Sequence, residues 1–150
     1  MTQSLSQLYV HIIFHVKNDD ILIRPEDESE LYAYIGGIIR HHDSLPIKIN
    51  GTENHLHILS AMSKNISLAK YIEAIKKSSS RWIKTKSESY SHFMWQGGYA
   101  GYSVSQTRVA AVKKYIENQK EHHKIVSFKD EYIQFLKQYK VDFNESYLWQ

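Results

Sequence analysis

Pro46-Ile47-Lys48-Ile49-Asn50-Gly51-Thr52-Glu53-Asn54-His55-Leu56-His57-Ile58-Leu59-Ser60 is the stretch that decides the fold. Pro46 to Asn50 and His55 to Ser60 read as two short strands, and Gly51 to Asn54 between them is turn-like, so a hairpin is expected. Side chains alternate along a strand, which puts Leu56 and Ile58 on one face and His55 and His57 on the other. The apolar face requires helices to cover it. The histidine face is expected to stay open and to carry the chemistry.

Working outward, Gln7 to Val16 is rich in β-branched and aromatic residues and reads as a strand, with Val10, Ile12, Phe14 and Val16 opposite Tyr9, His11, Ile13 and His15. Pro25 and the acidic residues after it open a helix to about His42, with Leu31, Ile35 and Ile38 inward. A second helix, from near Ser67 to about Lys86, turns Leu68, Tyr71, Ile72, Ile75, Trp82 and Ile83 to one side. Gly97, Gly98 and Gly101 interrupt helical pattern, and Tyr102 to Val104 reads as a strand. A third helix is expected from about Thr107 to His122. Ser127 has the form of an N-cap for a last helix to about Lys140. The order β-α-β-β-α-β is that of an α+β, ferredoxin-like split βαβ unit: an antiparallel sheet with helices on one face, here followed by extra helices.

With 150 residues the chain is expected to form one domain, 1–150. Apolar residues make up 42% and charged residues 23%, as in ordinary globular chains. No apolar run approaches the roughly 20 residues of a membrane span and no signal peptide is evident, so a cytoplasmic protein is expected. The absence of cysteine excludes disulfides, thiolate metal sites and cysteine nucleophiles. Any metal must therefore use histidine, carboxylate or amide donors. A net charge of +3 decides nothing about partners.

His55 and His57 lie about 7 Å apart on one strand face, a spacing from which both imidazoles reach one divalent ion, although an exposed sheet face carries such polar pairs without a metal. Gln119 offers an amide oxygen, and Tyr115, four residues earlier, projects from the same edge of its helix. Tyr115 reads either as a nucleophile or as a half-buried aromatic at a helix edge. The combination makes chemical sense: a phenol is only about 0.1% ionised at neutral pH, and a nearby cation offsets part of that deficit while polarising a phosphate. Two neutral imidazoles and one amide leave coordination positions open for phosphate oxygens, which suits Mg²⁺ or Mn²⁺.

These residues resemble the HUH single-tyrosine transposases of the smallest bacterial insertion sequences, including their relatives that act on repetitive extragenic palindromes. His55-Leu56-His57 is similar to the family's His-hydrophobic-His motif. Trp95-Gln96-Gly97-Gly98-Tyr99-Ala100-Gly101-Tyr102-Ser103-Val104-Ser105 resembles its Trp-Gln-x-Gly-Tyr-Gly-Ala-Phe-Ser-Val-Ser segment, and Tyr115 to Gln119 with Glu121 to Lys124 resembles its nucleophile helix. The resemblance runs from the first strand to Glu131. It implies Tyr115 as nucleophile, His55, His57 and Gln119 as metal ligands, and a homodimer that binds single-stranded DNA bearing hairpins, with each active site shared between subunits. Asn54 stands where the family often has Asp, and Ala100-Gly101 where it has Gly-Ala.

The expected function is that of a DNA transposase, cutting and rejoining single strands through a 5′-phosphotyrosine. A domesticated relative that processes chromosomal palindromes would carry the same site. The rival from another class is a ferredoxin-like nucleic-acid-binding module without catalysis. For DNA contact, Lys70, Lys77, Arg81 and Lys84 form a basic stripe that either tracks phosphates or is only a solvated helix face. Trp95 and Tyr102 read either as base-stacking platforms or as buried anchors of the Gly-rich turn.

Overall fold

The computed structural model describes residues 2–150. Its four strands, β1 (Tyr9–His15), β2 (Leu45–Thr52), β3 (His55–Ala61) and β4 (Ala100–Val104), form one antiparallel sheet in the order β2-β3-β1-β4. This is the order of the split βαβ unit, with β1 and β3 at the centre. The register sets His55 beside His15 and His57 beside Ile13 across β1 and β3. At the β2 turn the chain approaches so closely that a Cβ on Gly51 would lie 2.0 Å from the His55 carbonyl oxygen, so only glycine fits.

Helix α1 (Glu28–His41), preceded by a 3₁₀ turn at Pro25–Asp27, and helix α2 (Leu68–Ile83) cover one face. Leu31, Ile35 and Ile39 of α1 and Tyr71, Ile72 and Ile75 of α2 bury Ile12, Phe14, Leu56 and Ile58 between them. Each of these apolar side chains contributes roughly 1.5–3 kcal/mol on burial, which makes this layer the principal source of stability. Ser67 caps α2 as its sequence position suggests, accepting from the Lys70 amide at 3.1 Å.

The second face departs from expectation, because it is not open. Helices α3 (Val109–Glu117), α4 (Gln119–His122) and α5 (Phe128–Gln138) close over it, and the short α6 (Glu145–Leu148) follows. Phe128, Tyr132 and Leu136 of α5 bury Ile13, Ala100 and Tyr102, while Ile116 of α3 packs on Leu59 and Val104. The sheet is therefore sandwiched, and the histidines sit in an interior layer. The reason is visible in α5: its apolar stripe would otherwise be left in water.

The third helix is also not continuous. Asn50 on β2 donates its amide to the carbonyls of Ile116, at 2.9 Å, and Glu117, at 3.3 Å. Those are the oxygens that an unbroken helix would offer to the amides of Lys120 and Glu121. A side chain inserted into the ladder breaks it, and α3 ends at Asn118, where α4 begins.

Candidate metal and nucleophile centre

Strand β3 delivers His55 and His57 side by side, both fully buried. The break at Asn118 delivers Gln119, also fully buried, and its side-chain oxygen lies 2.9 Å from His55 Nε2. Tyr115, one turn earlier on α3, is half-buried and sits edge-on to His57, 5.9 Å between ring centroids. All four sequence candidates for catalysis and metal binding are thus gathered by a single chain.

Glu131 ties them together, and the sequence reading did not single it out. It is 1% exposed, and it accepts four hydrogen bonds on one carboxylate. On Oε1 these come from His57 Nε2 at 2.9 Å and His123 Nε2 at 3.1 Å; on Oε2 they come from Gln119 Nε2 at 3.0 Å and the Tyr115 hydroxyl. One signal was present in the sequence: Glu131 interrupts the apolar stripe Phe128, Tyr132, Phe135 and Leu136 at helical spacing, and a carboxylate in such a stripe must be paired. His123 lies one helical step after Gln119, and its Nε2 is also 3.0 Å from the Gln119 oxygen.

Charge follows from these contacts. Burial alone would raise the Glu131 carboxyl, but the hydrogen bonds from His123 and His57 outweigh it and hold the group well below the carboxylate range. Burial, and then the neighbouring His57, keep His55 neutral; burial also lowers His57 against the pull of Glu131. His123 is raised despite its burial because it bonds Glu131. Burial and the Glu131 carboxylate push the Tyr115 phenol far above its ordinary value, so at rest the nucleophile candidate is a neutral hydroxyl.

The cluster fits a divalent cation on its own chemistry: one donor atom from each of His55, His57, His123 and Glu131 lies within 4.8 Å of the others. Asn54, where the family often has Asp, still reaches the first histidine, its side-chain oxygen 2.8 Å from His55 Nδ1.

The other expectations resolve differently. Trp95 is an anchor: its ring stands edge-on to Phe14 and Phe93, centroids 4.7 Å and 5.0 Å away, and its indole N–H donates to Ser79 at 3.0 Å. Tyr102 is buried beneath Tyr139, stacked at 4.3 Å, and beneath Phe135. Both rings are buried, Trp95 7% and Tyr102 5% exposed, and Trp95 also borders the cavity beside Lys77 and Lys84. Lys70, Lys77, Arg81 and Lys84 are exposed on α2, on the opposite side of the sheet from the histidines. Lys77 and Lys84 border a cavity of about 480 Å³ with Met94 and Tyr99.

An antiparallel split βαβ sheet carrying a His-x-His strand against a tyrosine helix defines a class, and comparison with known proteins agrees. Residues 4–119 match the family described as "Transposase IS200 like". The chain belongs to that family of transposases. No curated protein matches it significantly. Among solved structures it is similar to a protein of Deinococcus radiodurans R1 proposed to be a transposase, at 20% identity and TM-score 0.61 over 79% of this chain and 98% of that one. It is also similar to a REP-associated tyrosine transposase bound to a REP hairpin, at 13% identity and TM-score 0.60 over 84% and 76%. These likenesses show the fold. Among the described residues no helix is long and apolar enough to cross a membrane.

Proposed function

We propose that this protein cleaves and rejoins single-stranded DNA at hairpin-bearing ends, with Tyr115 as the nucleophile. The observation that carries the reading is the Tyr115 hydroxyl hydrogen-bonded to Glu131, whose other oxygen is bonded to His57. As the phenol oxygen attacks the scissile phosphorus, its proton passes to the Glu131 carboxylate, to which it already points. The bond from phosphorus to the 3′ oxygen breaks, and that oxygen takes up a proton to leave as a 3′ hydroxyl. The 5′ phosphate stays on Tyr115 as a phosphodiester, so the bond energy is conserved. Attack by a 3′ hydroxyl on the phosphotyrosine then rejoins a strand and returns the proton to the phenol.

His55, His57 and Gln119 would hold Mg²⁺ or Mn²⁺, which when bound polarises the scissile phosphate and offsets its charge. Around it the chain itself excludes water, since both histidines and the glutamine are fully buried. Hairpin DNA as partner is supported by the neighbour bound to a REP hairpin and by the exposed Lys70, Lys77, Arg81 and Lys84, which we assign to phosphate contacts. A homodimer is part of the proposal; the cluster as it stands takes every residue from one chain.

The test is a labelled single strand carrying a hairpin. Wild-type protein should give a protein-linked 5′ product and a free 3′ hydroxyl, and Tyr115→Phe should give no adduct while still binding the strand. An adduct that persists in Tyr115→Phe moves the nucleophile elsewhere. A wild type that binds and never cuts leaves a non-catalytic binding module.

A further inference from the structure

The three imidazoles of the cluster, two buried and that of His123 9% exposed, share one orientation. His55 Nδ1 lies 2.8 Å from the Asn54 side-chain oxygen, His57 Nδ1 lies 2.8 Å from His11 Nε2, and His123 Nδ1 lies 2.8 Å from the Val126 carbonyl. With each Nδ1 engaged outward, every Nε2 is left facing inward, and the three converge on Glu131 Oε1 at 3.7, 2.9 and 3.1 Å. Holding the remote nitrogen fixes each ring so that Nε2, on giving up the proton it now directs at Glu131 or Gln119, offers its lone pair to an ion, which is how proteins orient imidazole ligands. His11 suits the part, being 1% exposed and wedged against Phe135 at 5.3 Å between centroids. The two oxygens of Glu131 are also divided: Oε1 faces these three imidazoles, and Oε2 faces Tyr115 and Gln119, with His122 Nε2 3.4 Å away.

We infer that His123 and Glu131 join His55, His57 and Gln119 as metal ligands, giving a centre of three imidazoles, one carboxylate and one amide oxygen that takes a first-row transition ion such as Mn²⁺, Co²⁺ or Zn²⁺ in preference to Mg²⁺. The inference rests on the reading that this cluster holds a divalent cation, and it names the class of ion. Mg²⁺ favours oxygen donors and keeps much of its water, which a set of three imidazole nitrogens does not replace. The imidazole-rich set matches the borderline ions instead. Glu131 would then stand between the ion and the nucleophile, since it already accepts from Tyr115, and Gln119 steadies that carboxylate through its amide N–H.

The experiment titrates the metal-free full chain with Co²⁺, reading the visible absorption band and the hyperfine-shifted imidazole N–H signals in the proton spectrum. Three shifted exchangeable N–H signals are expected, from Nδ1 of His55, His57 and His123, and a thousandfold excess of Mg²⁺ should not displace the ion. His123→Ala and Glu131→Gln should each weaken Co²⁺ binding at least about 10-fold. Two shifted signals, with both variants binding as wild type and His57→Ala binding poorly, would remove His123 and Glu131 from the ligand set and leave the cation reading intact. Failure of wild type to bind Co²⁺, Mn²⁺ or Mg²⁺ would overturn both. Because the signal count comes from the unaltered protein, it holds even where a variant fails to fold.

Discussion

The two faces of one sheet are built on different principles. Under α1 and α2, Ile12, Phe14, Leu56 and Ile58 meet isoleucines, leucine and tyrosine, and the layer is held by apolar burial. Under α3 to α5, His11, His55, His57, Gln119 and Glu131 are buried just as completely, in a polar network whose members must satisfy one another. Adjacent residues on one strand therefore serve opposite ends. The first layer supplies the free energy that lets the second hold paired polar groups out of water, an arrangement that contributes little net stability of its own.

The sharpest break in that comparison comes from neighbours on β3. His57→Gln, which keeps a polar donor toward Glu131, should abolish adduct formation, by at least about 1,000-fold, while shifting the melting temperature of the metal-free protein by only a few degrees. Ile58→Ala should do the reverse, costing about 2–5 kcal/mol by denaturant titration while the folded fraction keeps its activity. Equal stability losses in the two variants would mean that both faces are held in the same way.

Mixing subunits sharpens it next. The cluster assembled within one chain predicts that Tyr115→Phe and His57→Ala proteins, each inactive, stay inactive after exchange, since no mixed dimer contains one chain with both residues intact. Recovery of about one working site per mixed dimer would instead place Tyr115 against the partner's histidines, the shared site that the resemblance implies. Such an exchange must release the grip of Asn50 on α3 and the Lys120 ion pair with Glu28 at 2.8 Å.

Asn50 offers a smaller break. Asn50→Ala should free the carbonyls of Ile116 and Glu117 to continue the helix, swinging Gln119 away from His55. A loss of about 1–3 kcal/mol and a drop of about 10-fold in cleavage are expected. Cleavage at the wild-type rate would mean that the helix break is irrelevant to the site.

What the sequence made legible divides along the same line. Strand parity and helical periodicity located the apolar layer, because burial is written in the spacing of Leu56 and Ile58 or Ile72 and Ile75. Type and spacing offered the His pair, Tyr115 and Gln119 only as candidates, and it was the family resemblance that joined them into one site. Closure of the second face was not, since it depends on α5 folding back over the sheet, a contact between distant segments. Glu131 and His123 were hidden for that reason, although a carboxylate within an apolar stripe was a usable sign. The helix break at Asn118 was invisible because its cause, Asn50, lies on another element.

The smallest predicted effect concerns acid. His11 is buried and lowered to about 3 from 6.5, by burial first and then by His57 beside it. A histidine depressed on folding stays neutral in the native state while the unfolded chain takes up a proton. Its contribution to stability is therefore complete above about pH 6.5 and is lost as pH falls through the window from 6.5 toward 3. His55 and His57, also lowered, act in the same direction, whereas His123, raised, opposes them from pH 6.5 upward. Metal-free protein should therefore unfold more easily at pH 5 than at pH 7. His11→Gln removes one of these protons, so its stability should fall less steeply between those values, by about 1 kcal/mol per pH unit on average. Denaturant midpoints at pH 5, 6 and 7 measure the slope directly. Parallel slopes for variant and wild type would mean that His11 is protonated in the folded protein, and that the polar layer tolerates a charge that the apolar layer could not.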